Sequence, residues 1–309
     1  MDEYPSVVVI GAAAMDTKGR AHSALTPATS CEGDIRISVG GSARNVAENL
    51  ARLGVPTTML TAVGKDESGR RILNQARESG INVDNVMSTE EYHTAAYMSI
   101  YDAEGKPVYS IHDMDILSLI TPQYLYHNRR VMTAAAMLAV DANLSPRTLR
   151  SLIAFARKHE IRVCADPTTT GLAPRLRPHL SDLYMVTANA SEAEVLTGVP
   201  AANKAKALRA AKALVSMGVR VAIVTLAEKG LCYATGQSSG TLSALPCDIV
   251  DLTGAGDALT SAAIFGLLND MDVDDAVRLG LAGAAITIQC QETVCPHLSV
   301  DALYEKLVS

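Results

Sequence analysis

The chain has 309 residues, of which 48% are hydrophobic and 19% are charged, and its formal net charge is −6. This length and apolar fraction predict one large folded domain and exclude an intrinsically disordered chain. The mildly acidic balance argues against a protein that coats nucleic acid or an anionic membrane surface.

Two features of the sequence predict where the protein works. Residues 1–5 are acidic at the place where a secretory signal peptide carries positive charge, and no apolar run is long enough to span a bilayer. The six cysteines contain no C-x-x-C pair, which favours reduced thiols over a disulfide framework or a zinc site. We therefore expect a cytoplasmic protein with free thiols. The cysteines are Cys31, Cys164, Cys232, Cys247, Cys290 and Cys295.

Three short segments in the first part of the chain have strand patterns. Residues 7–11 and 57–63 are apolar runs typical of buried strands in a parallel sheet. Residues 34–39 alternate polar and apolar side chains, as a half-exposed strand does. Between these strands, Ser42 is placed to cap a helix that Gly54 would end.

A hairpin is predicted in the middle of the chain. Residues 92–101 and 107–112 alternate polar and apolar side chains around a polar, glycine-containing loop. With residues 34–39, this hairpin could form a small sheet outside the main domain.

From about residue 130, strand and helix patterns alternate regularly, which predicts βαβ units and a parallel sheet covered on both faces. The predicted strands are 131–140, 161–166, 183–187 and 220–226, and the predicted helices are 145–159, 203–217, 255–268 and 272–290.

The segment 251–257, DLTGAGD, has the clearest chemical pattern. Its two glycines come directly before an apolar helix, so several backbone N–H groups are left unpaired at the positive end of the helix dipole. Asp257 lies in the first helical turn, where a carboxylate can accept a proton from a hydroxyl while the N–H groups hold a phosphoryl group. The alternative is a glycine-rich turn in which Asp257 is an ordinary helix residue.

Two further motifs place polar groups near predicted helix starts. Gly40 and Gly41 would let a ligand approach the backbone, and Asn45 offers a donor and an acceptor that suit a polyol. Asn189 and Glu192 share a helix face and could hold a hydrated Mg²⁺. The alternatives are a helix cap after a strand and a capping arrangement around Asn189.

The ends of predicted strands carry two more carboxylates. Asp16 and Asp166 follow strands of the parallel sheet, where ligands gather in open α/β folds, although turn chemistry would place them there equally well. No G-x-x-x-x-G-K-[ST] motif occurs, which excludes a classical P-loop. The first strand is not followed by a G-x-G-x-x-G fingerprint, which argues against a dinucleotide-dependent oxidoreductase.

These motifs, in this order, resemble the ribokinase-like (PfkB) family of sugar and nucleoside kinases. Residues 40–54, GGSARNVAENLARLG, resemble its amino-terminal signature, and residues 251–257 resemble its carboxy-terminal signature. The resemblance implies a three-layer α/β/α fold with a mostly parallel central sheet. It also implies a single kinase domain over residues 1–309, with a β lid formed by about 31–41 and 92–113.

Four segments resemble the pseudouridine kinases of that family. The resemblance implies ATP-dependent phosphorylation of the 5′-hydroxyl of a ribose-containing nucleoside, pseudouridine first; a ribokinase, another sugar kinase or another nucleoside kinase is the alternative. A ligand sensor that keeps the fold without turnover is a further alternative, against which the retained Asp257 argues. The segments are HDMDILSLITPQYL (112–125), VDANLSPRTL (140–149), TGAGDA (253–258) and CQETVCPHLS (290–299).

The same resemblance implies roles for individual residues. Asp257 would be the general base, and the phosphoryl group would be held by N–H groups of Gly254, Ala255 and Gly256. Sugar contacts are implied for Asp16, Gly40, Gly41 and Asn45, with Asp113, Asp141 and Asn143 as candidate base or ribose contacts. Contacts with ATP are implied for Asn189, Glu192, Thr225, Ala227, Gly230 and Ala282.

Metal sites and assembly are implied as well. Glu192 would organise Mg²⁺ through water, and a monovalent cation, K⁺, would lie at Asp251 and the Thr253 carbonyl, with Thr293 as a further candidate. Lids of this family often pair between subunits, so we expect a homodimer. The sequence departs from the family pattern at Ala227, where glycine is usual, and at Leu252, where threonine is usual.

Overall fold

A computed structural model describes residues 5–308 of the chain. The acidic residues 1–4, on which the signal-peptide argument depends, lie outside the described residues. The strands are β1 Val7–Ile10, β2 Ala14–Ala21, β3 Gly33–Gly40, β4 Thr57–Leu60, β5 Ala62–Gly64, β6 Met87–Thr89, β7 Ala96–Tyr101, β8 Pro107–Asp113, β9 Met137–Asp141, β10 Arg162–Asp166, β11 Met185–Asn189, β12 Val221–Thr225, β13 Leu231–Thr235 and β14 Ser239–Leu242. The helices are α1 Ser42–Arg52, α2 Glu67–Glu78, α3 Pro122–His127, α4 Arg129–Ala134, α5 Pro146–Lys158, α6 Ala190–Thr197, α7 Lys204–Ser216, α8 Ala255–Leu268, α9 Val273–Thr287 and α10 Val300–Val308.

The main sheet runs in the order β14-β13-β12-β11-β10-β9-β1-β4. Neighbouring strands from β12 to β4 are parallel, and β13 and β14 add an antiparallel edge. Side chains of β1 alternate between two apolar cores: Val8 and Ile10 face one core, and Val7 and Val9 face the other. Because both faces are covered by helices, β1 is apolar throughout, as its sequence predicted. The three-layer fold with a mostly parallel sheet is confirmed.

A second sheet of four strands, which we call the small sheet, runs in the order β3-β2-β7-β8. The predicted hairpin is its β7–β8 pair, and the predicted strand 34–39 is β3, so the expected small extra sheet is present. The sequence did not predict β2, which lies between β3 and β7 and joins them. Its polar stretch, Thr17 to Arg20, lacks the apolar alternation of a strand.

Several boundaries differ from those predicted. Residues 57–63 break at Thr61, whose hydroxyl donates to the Gly11 carbonyl, so β4 and β5 belong to different sheets. The predicted strand 131–140 is shorter, because helix α4 precedes β9. Ser42 does not cap α1; Gly41 is the cap residue, and Ser42 is already helical. Helices α2, α3, α4 and α10 were not predicted.

The prediction of free thiols is wrong for one pair of cysteines. Cys290 and Cys295 are bonded, because the chain turns back directly after α9 and brings them together. Within residues 5–308 the other four cysteines are free. None of the helices in that range combines the length and apolar character that crossing a membrane requires.

Candidate active site

The amino end of α8 is open. Gly254, the cap residue, has φ +82, and a Cβ there would lie 1.8 Å from the Thr293 carbonyl oxygen, so only glycine fits. Within the described chain no side chain caps this helix, and a Cβ on Gly256 would meet nothing within 4 Å. The Ala255 amide donates to the Leu252 carbonyl at 3.4 Å, whereas the amides of Gly256 and Asp257 lie at the uncapped helix end beside open space, which is the arrangement of an anion site.

Asp257 stands in the first turn of α8, beside those amides. Its Oδ2 accepts a hydrogen bond of 2.8 Å from Nδ2 of Asn45 on α1. Burial raises the pKa of Asp257 to about 7, with the charges of Asp141 and Asp16 adding to the rise and Asn45 and Arg44 opposing it. A carboxylate with a pKa near neutrality can accept a proton from a substrate and release it afterwards.

A buried ion pair orients the amide of Asn45. The guanidinium of Arg44 is fully buried and pairs with Glu48, which is 1% exposed. Arg44 also donates to Oδ1 of Asn45 at 2.9 Å. Because a guanidinium can only donate, Oδ1 must face Arg44, and the NH₂ group of Asn45 must face Asp257. Sequence reasoning missed this pair; the spacing of four residues between Arg44 and Glu48 was its only local signal.

The space beside the two glycines before α1 is occupied by other atoms of the protein. A Cβ on Gly40 would lie 2.1 Å from Oδ2 of Asp16, and a Cβ on Gly41, at φ +94, would lie 2.5 Å from the Ala12 carbonyl oxygen. The space on the Cβ side of both glycines is therefore filled by the chain, and their contact with a ligand stays a prediction. Asp16 is 9% exposed, and burial raises its pKa to about 6 against the charges of Lys18 and Arg44.

Asn189 and Glu192 form a capping box at the start of α6. Oδ1 of Asn189 accepts from the Glu192 amide at 3.0 Å, and Oε2 of Glu192 accepts from the Asn189 amide at 2.9 Å. Glu192 is buried, which raises its pKa although the bonds from Asn189 oppose the rise. The capping arrangement is thus present, and Oε1 of Glu192 takes no part in its hydrogen bonds.

Asp166 adds a further carboxylate to this region. Burial holds the pKa of Asp166 well above its ordinary value, and the charges of Asp257 and Glu192 raise it further. Among the described residues no three acidic, His or Cys side chains are close enough to form a metal site by themselves. The donors nevertheless fit Mg²⁺, which is commonly held by one or two carboxylates, water and substrate phosphates.

Asp251 already forms an ion pair with the ammonium group of Lys18. Nζ of Lys18 lies 2.7 Å from Oδ2 of Asp251 and 2.5 Å from Oγ1 of Thr253, and the Thr253 amide donates to Oδ1 of Asp251 at 2.9 Å. A monovalent cation at this carboxylate would lie against the ammonium and be repelled. The residues present therefore do not fit the K⁺ site expected here. The Thr293 hydroxyl donates elsewhere, to the Val39 carbonyl at 2.9 Å.

Two other predicted substrate contacts do not join the site as expected. Asp113 is exposed at the end of β8, where it accepts from the Asp115 amide. Asp141 is 1% exposed, and its two oxygens accept from the amides of Ala12 and Asn143. Asp141 therefore ties the ends of β1 and β9 together and acts on Asp257 only through its charge.

The predicted ATP contacts divide into two groups. Asn189 and Thr225 are neighbours in the sheet, at the ends of β11 and β12, so they can act on one ligand. Ala227 is exposed with φ +50, the left-handed conformation that the usual glycine of the family accommodates easily. A Cβ on Gly230 would lie 2.1 Å from the Leu242 carbonyl oxygen, so this glycine is needed for packing. Ala282 is fully buried in the core shared with α8, so the expected contact with adenine is corrected.

Both the sequence and the fold match known proteins. Residues 5–298 match the family model described as pfkB family carbohydrate kinase. The pseudouridine kinase of Escherichia coli (strain K12) is 29% identical over 301 residues, which are 97% of this chain and 96% of that protein. The guanosine-inosine kinase of Exiguobacterium acetylicum is 29% identical over 299 residues, which are 96% of this chain and 99% of that protein.

The fold match comes from a solved structure. The structure of Arabidopsis thaliana ribokinase complexed with ribose and ATP has a TM-score of 0.85 to this chain at 19% identity, and the match covers 99% of each chain. Together, fold and sequence define a phosphotransferase that uses an alcohol group of a sugar or nucleoside as acceptor. The chain belongs to the pfkB family of carbohydrate kinases.

Proposed function

We propose that this kinase transfers the terminal phosphoryl group of ATP to the 5′-hydroxyl of a ribose-containing nucleoside, with pseudouridine as the preferred acceptor. The observation that carries the proposal is the carboxylate of Asp257, which lies at the uncapped amino end of α8 and is held by Asn45 at 2.8 Å. The two relatives at 29% identity are both nucleoside kinases, which favours a nucleoside over free ribose. A ribokinase relative from Haemophilus influenzae is 25% identical.

The chemistry follows from this arrangement. Asp257 accepts the proton of the acceptor hydroxyl as the oxygen attacks, and the open amides of α8 hold the negative charge of the phosphoryl group in transit. Asp16 shares this region, because its charge raises the pKa of Asp257, and it binds the ribose hydroxyls. Phosphoryl transfer needs positioning and charge stabilisation more than covalent chemistry, so these groups account for most of the catalysis.

The nucleotide lies along the ends of β11 and β12. Asn189 and Thr225 contact its phosphates and sugar, and the loop through Ala227 flanks it. The free oxygen of Glu192, with Asp166 nearby, holds Mg²⁺ through water. Bound there, Mg-ATP supplies the phosphoryl group and neutralises its charge. Burial raises the pKa of both Glu192 and Asp166, and the charges of Asp257 and Glu192 add to the rise at Asp166, which supports a cation at this place.

The small sheet covers the acceptor and forms a homodimer interface. Along β2, Asp16 and Lys18 lie on one face of the small sheet. This face is directed at the kinase site, because Lys18 contacts Asp251 in the loop before α8. The opposite face is apolar and exposed, and a second copy of the same face would cover it symmetrically. That face consists of Ile35, Ile37, Met98, Tyr109 and Ile111.

A coupled assay tests the acceptor. Purified protein is given Mg-ATP with pseudouridine, uridine, guanosine, adenosine or ribose, and kcat/KM is compared between them. The proposal expects pseudouridine to exceed each other acceptor by about tenfold or more, a difference of about 1.4 kcal/mol in transition-state binding. Preference for ribose would show that the base is not recognised, and preference for another nucleoside would replace pseudouridine.

Sedimentation tests the assembly separately. The wild-type chain is expected to sediment as a dimer, and Ile37→Glu, which places a charge on the apolar face of the small sheet, is expected to give monomers. A monomeric wild type would remove the interface. Lys158→Glu, on the exposed end of α5, is the control that should stay dimeric.

A further inference from the structure

Lys18 reaches from the small sheet to the loop that leads into α8. It lies on β2, two residues after Asp16 and therefore on the same face of the strand. Its Nζ bridges Oδ2 of Asp251 and Oγ1 of Thr253, at 2.7 and 2.5 Å, across 233 residues of sequence. The side chains of Lys18 and Asp251 are 17% and 24% exposed, so water screens their pairing only in part.

This contact fixes the turn directly before the anion site. One oxygen of Asp251 accepts from Lys18, and the other accepts from the Thr253 amide at 2.9 Å. Burial disfavours the charged carboxylate, but the bonds from Lys18 and Thr253 outweigh burial and lower the pKa of Asp251. Thr253 is followed by Gly254, whose left-handed conformation starts α8. Lys18 thus holds the residues that set the direction of the open amides.

The ammonium of Lys18 has the charge of a monovalent cation and is similarly compact. It stands at the carboxylate where the family resemblance placed K⁺, and it contacts two oxygen atoms of the same loop. We propose that Lys18 is a positioning residue that supplies this positive charge from the small sheet, so that the anion site is organised without a monovalent cation. The inference rests on the kinase activity but not on the identity of the acceptor.

The origin of Lys18 has a mechanical consequence. β2 carries both Asp16, which the proposed function places on the acceptor, and Lys18, which holds the loop before α8. The contact with the acceptor and the contact with the loop before α8 are therefore linked through one strand, which a free cation at Asp251 would not provide.

The test removes the charge and asks whether an external cation replaces it. The variants are Lys18→Met, which removes the ammonium and keeps most of the length of the side chain, and Lys18→Arg. The control is Lys65→Met, which breaks an exposed pair with Glu90 away from the site. Each protein is assayed at saturating Mg-ATP and acceptor, in potassium chloride or in tetramethylammonium chloride at the same ionic strength.

For wild type and Lys65→Met, kcat should differ less than about twofold between the two salts. In tetramethylammonium, kcat of Lys18→Met should be about 10²–10³-fold below that of wild type. Potassium should raise kcat of Lys18→Met by at least about tenfold over its value in tetramethylammonium. In both salts, kcat of Lys18→Arg should be reduced less than that of Lys18→Met. A wild type that needs potassium for turnover overturns the proposal. So does a Lys18→Met variant whose response to potassium equals that of wild type.

A second readout does not depend on turnover. In thermal unfolding without substrates, potassium should raise the Tm of Lys18→Met over its value in tetramethylammonium and leave the Tm of wild type unchanged. Asp251→Asn should abolish this response in the Lys18→Met background, because the acceptor of the cation is then gone. If no acceptor is phosphorylated, the proposed acceptor class fails, but these melting curves still decide the role of Lys18. Equal salt responses in wild type and Lys18→Met would overturn it here too.

Discussion

Asn45 on α1 donates its amide to Asp257 on α8, with 2.8 Å between Nδ2 and Oδ2, although the two residues are 212 positions apart in the sequence. The buried pair of Arg44 and Glu48 fixes the orientation of that amide, so the hydrogen bond favours the charged form of Asp257. Burial acts in the opposite direction and raises the pKa to about 7. The balance between these two effects determines when Asp257 can act as a base.

Replacing Asp257 by asparagine removes the base and leaves the shape of the side chain. Asp257→Asn should lower kcat by about 10²–10⁴-fold, the usual contribution of general base catalysis. Acceptor binding, measured by calorimetry without ATP, should change little. Asp301→Asn, at the corresponding first-turn position of the exposed helix α10, is the matched control and should keep normal turnover. Normal turnover by Asp257→Asn would remove the residue from the base role.

The pH dependence of kcat/KM should report Asp257 in the free enzyme. Because the base must be deprotonated, kcat/KM should fall about tenfold for each pH unit below about pH 7. Asn45→Ala removes a hydrogen bond that lowers this pKa, so the acid limb of the profile should move to higher pH. Asn74→Ala, on the exposed side of α2, should leave the profile unchanged. A downward shift in Asn45→Ala would contradict the assignment.

The same carboxylates affect the stability of the unliganded protein. In the folded state the pKa is about 6 for Asp16 and about 7 for Asp257, above the ordinary value of 3.8, so the folded protein binds protons more tightly than the unfolded chain. The resulting stabilisation is present at low pH and is lost as the pH rises through these two values. The Tm should therefore be higher at about pH 5.5 than at about pH 8.

Asp257→Asn provides the internal check on this prediction. Asparagine does not ionise, so the variant lacks the free-energy cost of a charged carboxylate in the interior. Its Tm should therefore be above that of wild type at about pH 8. The difference should shrink at about pH 5.5, where Asp257 of wild type is protonated. Such a gain would be an example of stability given up for activity at a catalytic position. A wild type that melts at the same temperature at both values would contradict the prediction.

Local sequence patterns were sufficient for the parts of this fold that local patterns determine. The glycines of residues 251–257 marked the start of α8, and the alternation around residues 92–112 marked the hairpin of the small sheet. In both cases the signal lies within a few residues, because glycine before an apolar helix and alternation around a polar loop each have one common structural outcome.

The parts that were missed depend on contacts between distant segments. Gly40 was predicted to let a ligand approach the backbone. A glycine in a sequence indicates that there is no room for a side chain, but it does not show which group occupies that space. In the structure the Asp16 carboxylate occupies it. Lys18 gave no signal because β2 lacks apolar alternation and because its partner, Asp251, is 233 residues away. The bond between Cys290 and Cys295 likewise depends on how the chain turns after α9.

The buried ion pair on α1 should be costly to break. Arg44→Met leaves the charge of Glu48 with one partner fewer in the interior and frees the amide of Asn45, so the free energy of unfolding should fall by about 3–5 kcal/mol. Arg52→Met removes a second ionic partner of Glu48. The Arg52 side chain is 26% exposed, so this loss should cost about 1 kcal/mol or less. Urea unfolding of both variants tests this, and equal losses would contradict it.

The glycine at the start of α8 can be tested against a glycine with the same backbone conformation elsewhere. Gly254 and Gly54 have φ of +82 and +77, so alanine at either position costs about 1–2 kcal/mol in backbone strain. Only Gly254 has a neighbour in the way: its Cβ would lie 1.8 Å from the Thr293 carbonyl oxygen, whereas a Cβ on Gly54 would meet nothing within 4 Å. Gly254→Ala must therefore shift the turn that aims the amides of α8, and it should lower kcat by about 10²-fold or more. Gly54→Ala should lose stability and keep its turnover, so equal activity of the two variants would show that the position of this turn does not matter for catalysis.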